Sequence, residues 1–116
     1  MTLQEIIDRF NLVPLTEEKN YAEIVPTMGY ASDMLSCVMV GASSKGLWLT
    51  LQAHVNIVAV AALLDLSAVI ITEGAKPDAT TIAKANEQQI ILLSTPETTY
   101  SMAGKLWESG LRAPIN

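Results

Sequence analysis

Apolar residues change their spacing several times along the chain, and each change marks an element. Leu3, Ile6, Ile7 and Phe10 recur at helical intervals after Thr2, and Glu5 stands three residues beyond that threonine. This is capping-box spacing, so a first helix is expected over 3–10. Leu12 to Leu15 is short and held extended by Pro14, Thr16 to Asn20 is a solvated turn, and Ala22 to Val25 reads as a brief strand ended by Pro26. Gly29 and Tyr30 open the next unit. Ser32 or Asp33 can cap a helix through Val40, with Ala31, Met34, Leu35 and Val38 at helical spacing. Gly41 to Gly46 is a turn.

The centre of the pattern is Leu47 to Gly74, which reads as strand, helix, strand. Leu47 to Leu51 and Ser67 to Thr72 are strand-like, and His54 to Leu66 is too long for one strand. Two strands joined by a helix in so few residues are most simply parallel. The joining helix has almost no wet side, because Val60 and Leu63 share a face with Asn56. A sheet can cover one side; a neighbouring helix or a second copy of the chain must cover the other, and a homodimer is the expectation. Glu73 to Pro77 is a loop, Asp78 caps a helix to about Gln89, and Ile90 to Leu93 is a buried-type strand. Thr95-Pro96 sets a cap with proline at the first helical position, and the last helix runs to about Ser109 before Gly110. Gly104 within it suggests close packing of two backbones, and the tail Leu111 to Asn116 reads as loose. The alternation defines an α/β fold, a mainly parallel sheet flanked by helices, in one compact domain over 1–116.

Composition removes several function classes. Half of the residues are apolar, and the net charge is −5 with basic residues scattered singly, which argues against a nucleic-acid surface. Cys37 is the one cysteine, so no disulfide or zinc cluster forms within the chain. No apolar run approaches the roughly 20 residues of a membrane span. The N-terminus carries acids where a signal peptide would carry bases, so a cytoplasmic protein is expected.

Candidate chemistry is sparse. Gly41-Ala42-Ser43-Ser44-Lys45-Gly46 has the glycine spacing of a phosphate-binding loop, but Leu47 and Trp48 follow it and it precedes a strand, so nucleotide-hydrolysing chemistry there is rejected. Cys37, amid Leu35, Val38 and Met39, reads as a core thiol. His54 is the lone histidine, near a helix start where anions are favoured; a cap, a ligand contact and an acid–base role are all open to it. In an open parallel sheet, ligands sit beyond the carboxyl ends of the strands. The loops there would offer Gly29, Tyr30, Ser32 and Asp33, then Gln52, His54 and Asn56, then Thr72, Glu73 and Gly74, then Ser94 and Thr95. This rim supplies hydrogen bonds rather than an acid–base pair, and Ser32, Asp33 and Thr95 are equally suited to capping helices. No catalytic residue, metal site or cofactor is assigned.

Gly29-Tyr30-Ala31-Ser32-Asp33-Met34-Leu35-Ser36 resembles the GYxSDxLS segment of the DRTGG domain. Leu47 to Val60, with its T-x-Q-x-H-x-N core, Ala68 to Pro77 and Ile91 to Thr95 resemble that family's later segments in order. The signature itself departs: where the family shows D-R-T-G-G, the chain has Ile24-Val25-Pro26-Thr27-Met28-Gly29. The resemblance implies a regulatory or ligand-sensing appendage, related distantly to the N-terminal part of HPr kinase and to regulatory domains of phosphate acetyltransferases. Stand-alone members resemble small proteins associated with redox and hydrogenase enzymes, which implies an enzyme partner. The leading expectation is a non-catalytic sensor of a small polar metabolite or nucleotide. The alternatives are a docking subunit and a small enzyme using His54 with Asp33 or Glu73.

Overall fold

A computed structural model of the chain describes residues 1–113. Helix α1 (Leu3–Phe10) is capped as its sequence requires: Thr2 accepts from the Glu5 N–H, and the Glu5 carboxylate accepts from the Thr2 N–H. Strand β1 (Val13–Pro14) pairs antiparallel with β5 (Leu92–Ser94), while β2 (Gly29–Ala31), β3 (Leu47–Thr50), β4 (Ala68–Ile71) and β5 run parallel. The order is β1-β5-β4-β3-β2, so the parallel strands follow one another without reversal. Helices α2 (Leu35–Gly41), α3 (Asn56–Leu63) and α4 (Ala79–Glu87) make the crossovers, and α5 (Thr99–Glu108) follows β5.

Two-residue alternation along the strands divides the core between the two faces of the sheet. Leu47, Leu49, Ala68, Ile70 and Leu93 pack with Leu3, Ile6, Met102 and Leu106, so α1 and α5 cover one face. Trp48, Val69, Ile71 and Leu92 pack with Val38, Ile57, Ala61 and Ala85, so α2, α3 and α4 cover the other. Crossovers of one hand between consecutive strands in one spatial direction must lie on the same face, which accounts for this layering.

Several expectations are corrected. Ala22 to Val25 is not a sheet strand: Tyr21–Glu23 forms a 3-10 turn, the Tyr21 ring is buried against the α1 side, and the Ile24 carbonyl accepts from Leu3 at 2.7 Å. Helix α5 starts at Thr98, whose hydroxyl accepts from Ser101, because β5 extends through Ser94 and draws Thr95 into the sheet edge. Gly104 packs against no backbone; a methyl group there would meet nothing within 4 Å. The expected loose tail begins with a buried Leu111 in the core, and the Arg112 carbonyl accepts from Gly29 at 3.2 Å; 114–116 lie outside the described residues.

Candidate functional site at the strand ends

Parallel direction brings the loops after β2, β3, β4 and β5 to one edge, with Thr50, Ile71 and Ser94 level across the sheet. The rim therefore exists, but much of its polarity is turned inward. Asp33 Oδ1 accepts from the Thr50 hydroxyl at 2.7 Å and from the Leu51 N–H at 2.9 Å. The Gln52 side-chain amide donates to the Asp33 carbonyl, and the Gln52 N–H donates to Thr50 Oγ1 at 3.1 Å. Thr50 is wholly buried, so its hydroxyl needs these partners. Asp33 is thus a brace between two loops and not a helix cap. Ser32 serves locally: its hydroxyl accepts from the Met34 N–H at 3.1 Å, and its carbonyl accepts the Trp48 indole N–H at 2.8 Å.

The loops after β4 and β5 close on the start of α5. Glu73, with a left-handed backbone (φ 62°), accepts from the Thr99 N–H at 2.7 Å and donates its own N–H to the Glu97 carbonyl at 2.8 Å. A carboxylate is favoured there by the positive end of the helix. Thr72 and Thr99 share a hydroxyl–hydroxyl bond, the Gly74 N–H donates to the Thr95 carbonyl at 3.1 Å, and the Thr95 hydroxyl accepts from Glu97. Thr98, Thr99 and Glu97 were not singled out in the sequence, where Thr95-Pro96 offered a competing cap a few residues earlier.

His54 and Asn56 are different: both are exposed, at the beginning of α3. That helix starts at Val55 with no side chain to cap it, and α2 starts equally bare at Met34, whereas Thr2, Asp78 and Thr98 cap α1, α4 and α5. Asp78 caps the neighbouring helix α4. Its carboxyl is held below the usual range by hydrogen bonds from Thr81 and, in smaller part, by the nearby imidazole. Asn56 faces a groove of about 370 Å³ between α3 and α4, beside Lys84 and Gln88.

Gly29 and Tyr30 leave the expected rim. Gly29 stands at the opposite end of β2, level with Leu47, and Tyr30 lies level with Trp48 with its ring against Gly41. Both line an apolar cavity of about 220 Å³ beneath β2, with Leu106, Trp107 and Leu111. Cys37 is exposed and not part of the core. The two glycines of the Gly41–Gly46 turn answer to packing: a methyl on Gly46 would stand 2.8 Å from the Ser43 carbonyl and from Met28 Sδ. Among the described residues no group of His, Cys, Asp and Glu is arranged to hold a metal ion, and no helix is long and apolar enough to cross a membrane.

Parallel strands in sequential order, helices on both faces and loops gathered at one edge define a small α/β domain. Residues 23–109 match the family model of the DRTGG domain, and the chain belongs to that family. Its structure is similar to the CBS and DRTGG domains of the regulatory region of Clostridium perfringens pyrophosphatase complexed with the activator diadenosine tetraphosphate. The TM-score is 0.72 at 18% identity, over 89% of this chain and 44% of that one, so the likeness is one of fold and this chain spans less than half of that structure's length. No curated protein matches the sequence significantly. Of the signature, Thr27 and Gly29 are kept. Thr27 donates its hydroxyl to the Ser44 carbonyl at 2.9 Å, tying the approach to β2 onto the turn before β3.

Proposed function

We propose that the chain is a non-catalytic regulatory domain that senses a small polar metabolite or nucleotide at its strand-end loops, through Gln52, His54 and Asn56. The start of α3 carries this reading. A helix N-terminus without a capping side chain presents N–H groups and positive potential to an anion, and the exposed His54 imidazole beside it can donate a hydrogen bond. Asp33, Thr72, Glu73 and Thr95 hold the surrounding loops in shape. Membership of the DRTGG family supports a regulatory role, and the pyrophosphatase complex supports nucleotides as the first ligands to try. A thermal-shift panel of AMP, ATP and diadenosine tetraphosphate tests it. A ligand at 100 times its Kd adds about 2.7 kcal/mol of stability, and His54→Ala and Asn56→Ala each reduce that gain. A silent panel, or a gain untouched by both substitutions, refutes it.

An interface is the second reading, favoured by the outer side of α2 and α3. Val40 is 89% exposed, Leu63 69% and Met34 62%, on two helices that pack together. We assign this face to a homodimer contact, where each such side chain contributes about 1.5–3 kcal/mol if fully buried. Sedimentation at micromolar concentration then gives a dimer, and Leu63→Glu a monomer. A monomeric wild type removes the homodimer and turns attention to an enzyme partner.

A further inference from the structure

A separate cavity of about 480 Å³ opens at the other edge, where β3, β4 and β5 begin, and falls within the size range of small-molecule sites. The connection from β1 to β2 forms its outer wall with Lys19, Glu23, Ile24 and Val25. That wall is fastened by the Glu17 N–H to Asn86 Oδ1 at 2.8 Å and by the Thr27 N–H to the Lys45 carbonyl at 3.0 Å.

The inner wall consists of the turns that lead from helices into strands, contributing Lys45, Asp65 and Gln89. All three have left-handed backbone, with φ of 63°, 54° and 61°. Glycine adopts that conformation without strain and is the common residue after a helix C-terminus. Here each turn keeps a polar side chain instead, and those side chains meet around the cavity. Lys45 pairs with Asp65 at 3.0 Å, and Lys19 donates to the Gln89 side-chain carbonyl.

The four charges sum to zero, but only Lys45 and Asp65 are joined as an ion pair. Asp65 compensates Lys45, but Lys19 meets only a neutral amide, and Glu23 has no side-chain hydrogen bond or ion pair among the described residues. One ammonium and one carboxylate therefore stand on the same wall without an ion-pair partner among the described residues. Leu66 and Ile91, with Ile24 and Val25, give the cavity an aliphatic lining, and no aromatic ring is present to stack a base. Helices α3 and α4 end at this edge, and their carbonyl ends favour a cationic group over a phosphate.

We propose that this cavity binds an aliphatic α-amino acid, with its ammonium on Glu23, its carboxylate on Lys19 and its side chain on Leu66 and Ile91. This site is independent of the strand-end ligand. Isothermal titration of the full chain with L-leucine and L-valine tests it, beside two leucine analogues lacking one charge, isopentylamine and 4-methylpentanoate. At least one amino acid binds saturably, and both analogues bind about tenfold weaker or worse. Glu23→Gln weakens the amino acid while leaving 4-methylpentanoate unchanged; Lys19→Met weakens the amino acid while leaving isopentylamine unchanged. His54→Ala alters none of these. Absence of saturable binding at millimolar concentration, or binding unchanged by both cavity substitutions, overturns the proposal. So does amino-acid binding lost in His54→Ala, which would move the ligand to the strand ends. A silent amino-acid titration leaves the nucleotide reading standing.

Discussion

Replacing Gly41 by alanine tests the packing that fixes the candidate loops from below. Helix α2 ends at Gly41, and the Tyr30 ring lies across it; an added Cβ would stand 2.7 Å from the phenolic oxygen and nearer still to Cε1 and Cζ. Non-bonded carbon contacts settle at about 3.5–4.0 Å, so the ring has to shift by roughly 1 Å. It is not free to do so, because Tyr30 packs against the cluster around Trp48. Overpacking of this kind costs about 1–3 kcal/mol, against a helix-propensity gain of at most about 1 kcal/mol. Gly41→Ala is therefore expected to destabilise the domain by about 1–2 kcal/mol. Gly104→Ala, with open space around it, is expected to stabilise by about 0.5–1 kcal/mol. Urea unfolding followed by the fluorescence of the fully buried Trp48 reads both. A double-mutant cycle isolates the cause: in the Tyr30→Ala background, Gly41→Ala becomes neutral or stabilising. A raised unfolding midpoint for Gly41→Ala alone refutes the reasoning.

Other perturbations follow from the same contacts. Asp33→Ala deprives the buried Thr50 hydroxyl and the Leu51 N–H of their shared acceptor and is expected to cost about 2–3 kcal/mol in urea unfolding, with Asp33→Asn milder. Thr98→Ala removes the α5 cap and costs about 1 kcal/mol, while Pro96→Ala stays within about 0.5 kcal/mol, which separates the observed helix start from the one the sequence suggested. Tyr21→Phe is neutral or stabilising in the same assay, because the Tyr21 hydroxyl is buried without a partner among the described residues. Glu5, Asp65, Asp78 and Glu97 are held below the usual carboxylate range, chiefly by hydrogen bonds from the Thr2 backbone, Lys45, the Thr81 backbone and Lys105 respectively. Between these lowered values and the ordinary ones the unfolded chain binds more protons, so their stabilisation is full above the ordinary range and is lost as pH falls below about 4.5. Thermal melts across pH should show that acid limb, and Asp78→Asn, which keeps a capping oxygen, should make it shallower.

The legible parts of the sequence were those decided locally or by burial on both faces. Thr2 and Glu5 define their helix start within four residues, Asp78 does the same for α4, and the β-branched run at 68–71 suits only a covered strand. The misread parts depend on distant partners. Ile24 and Val25 look strand-like, yet the Ile24 carbonyl is claimed by Leu3, and the first parallel strand uses Gly29, Tyr30 and Ala31, a weak β signal rescued by pairing with Leu47, Trp48 and Leu49. Helix α3 was read as having almost no wet side; Ile57, Val58, Val60 and Ala61 are buried, while Asn56, Ala59, Ala62 and Leu63 are exposed in the single chain. The rim at 32–33, 52–56, 72–74 and 94–95 followed from parallel direction alone. Its inward hydrogen bonds did not, because neither the Asp33–Thr50 brace nor the Glu73–Thr99 contact has a local sequence pattern.

The single-face crossover arrangement gives the two edges opposite electrostatic characters. Helices α2, α3 and α4 all start where β2, β3 and β4 end, and all finish where the next strand begins. Their positive ends therefore converge on one edge and their negative ends on the other, and each contribution fades within about one helical turn. At the first edge, Asp78 caps α4, while α2 and α3 start without a capping side-chain hydrogen bond among the described residues. The carboxylates of Asp33 and Glu73 on the same edge offset part of the positive helix ends. At the second, Lys45 offsets part of the negative potential but is itself paired with Asp65, leaving Glu23 as a carboxylate without an ion-pair partner among the described residues. Under the two proposals above, the helix ends would favour a phosphate-bearing ligand at the first edge and an ammonium-bearing one at the second. Raised ionic strength should weaken both.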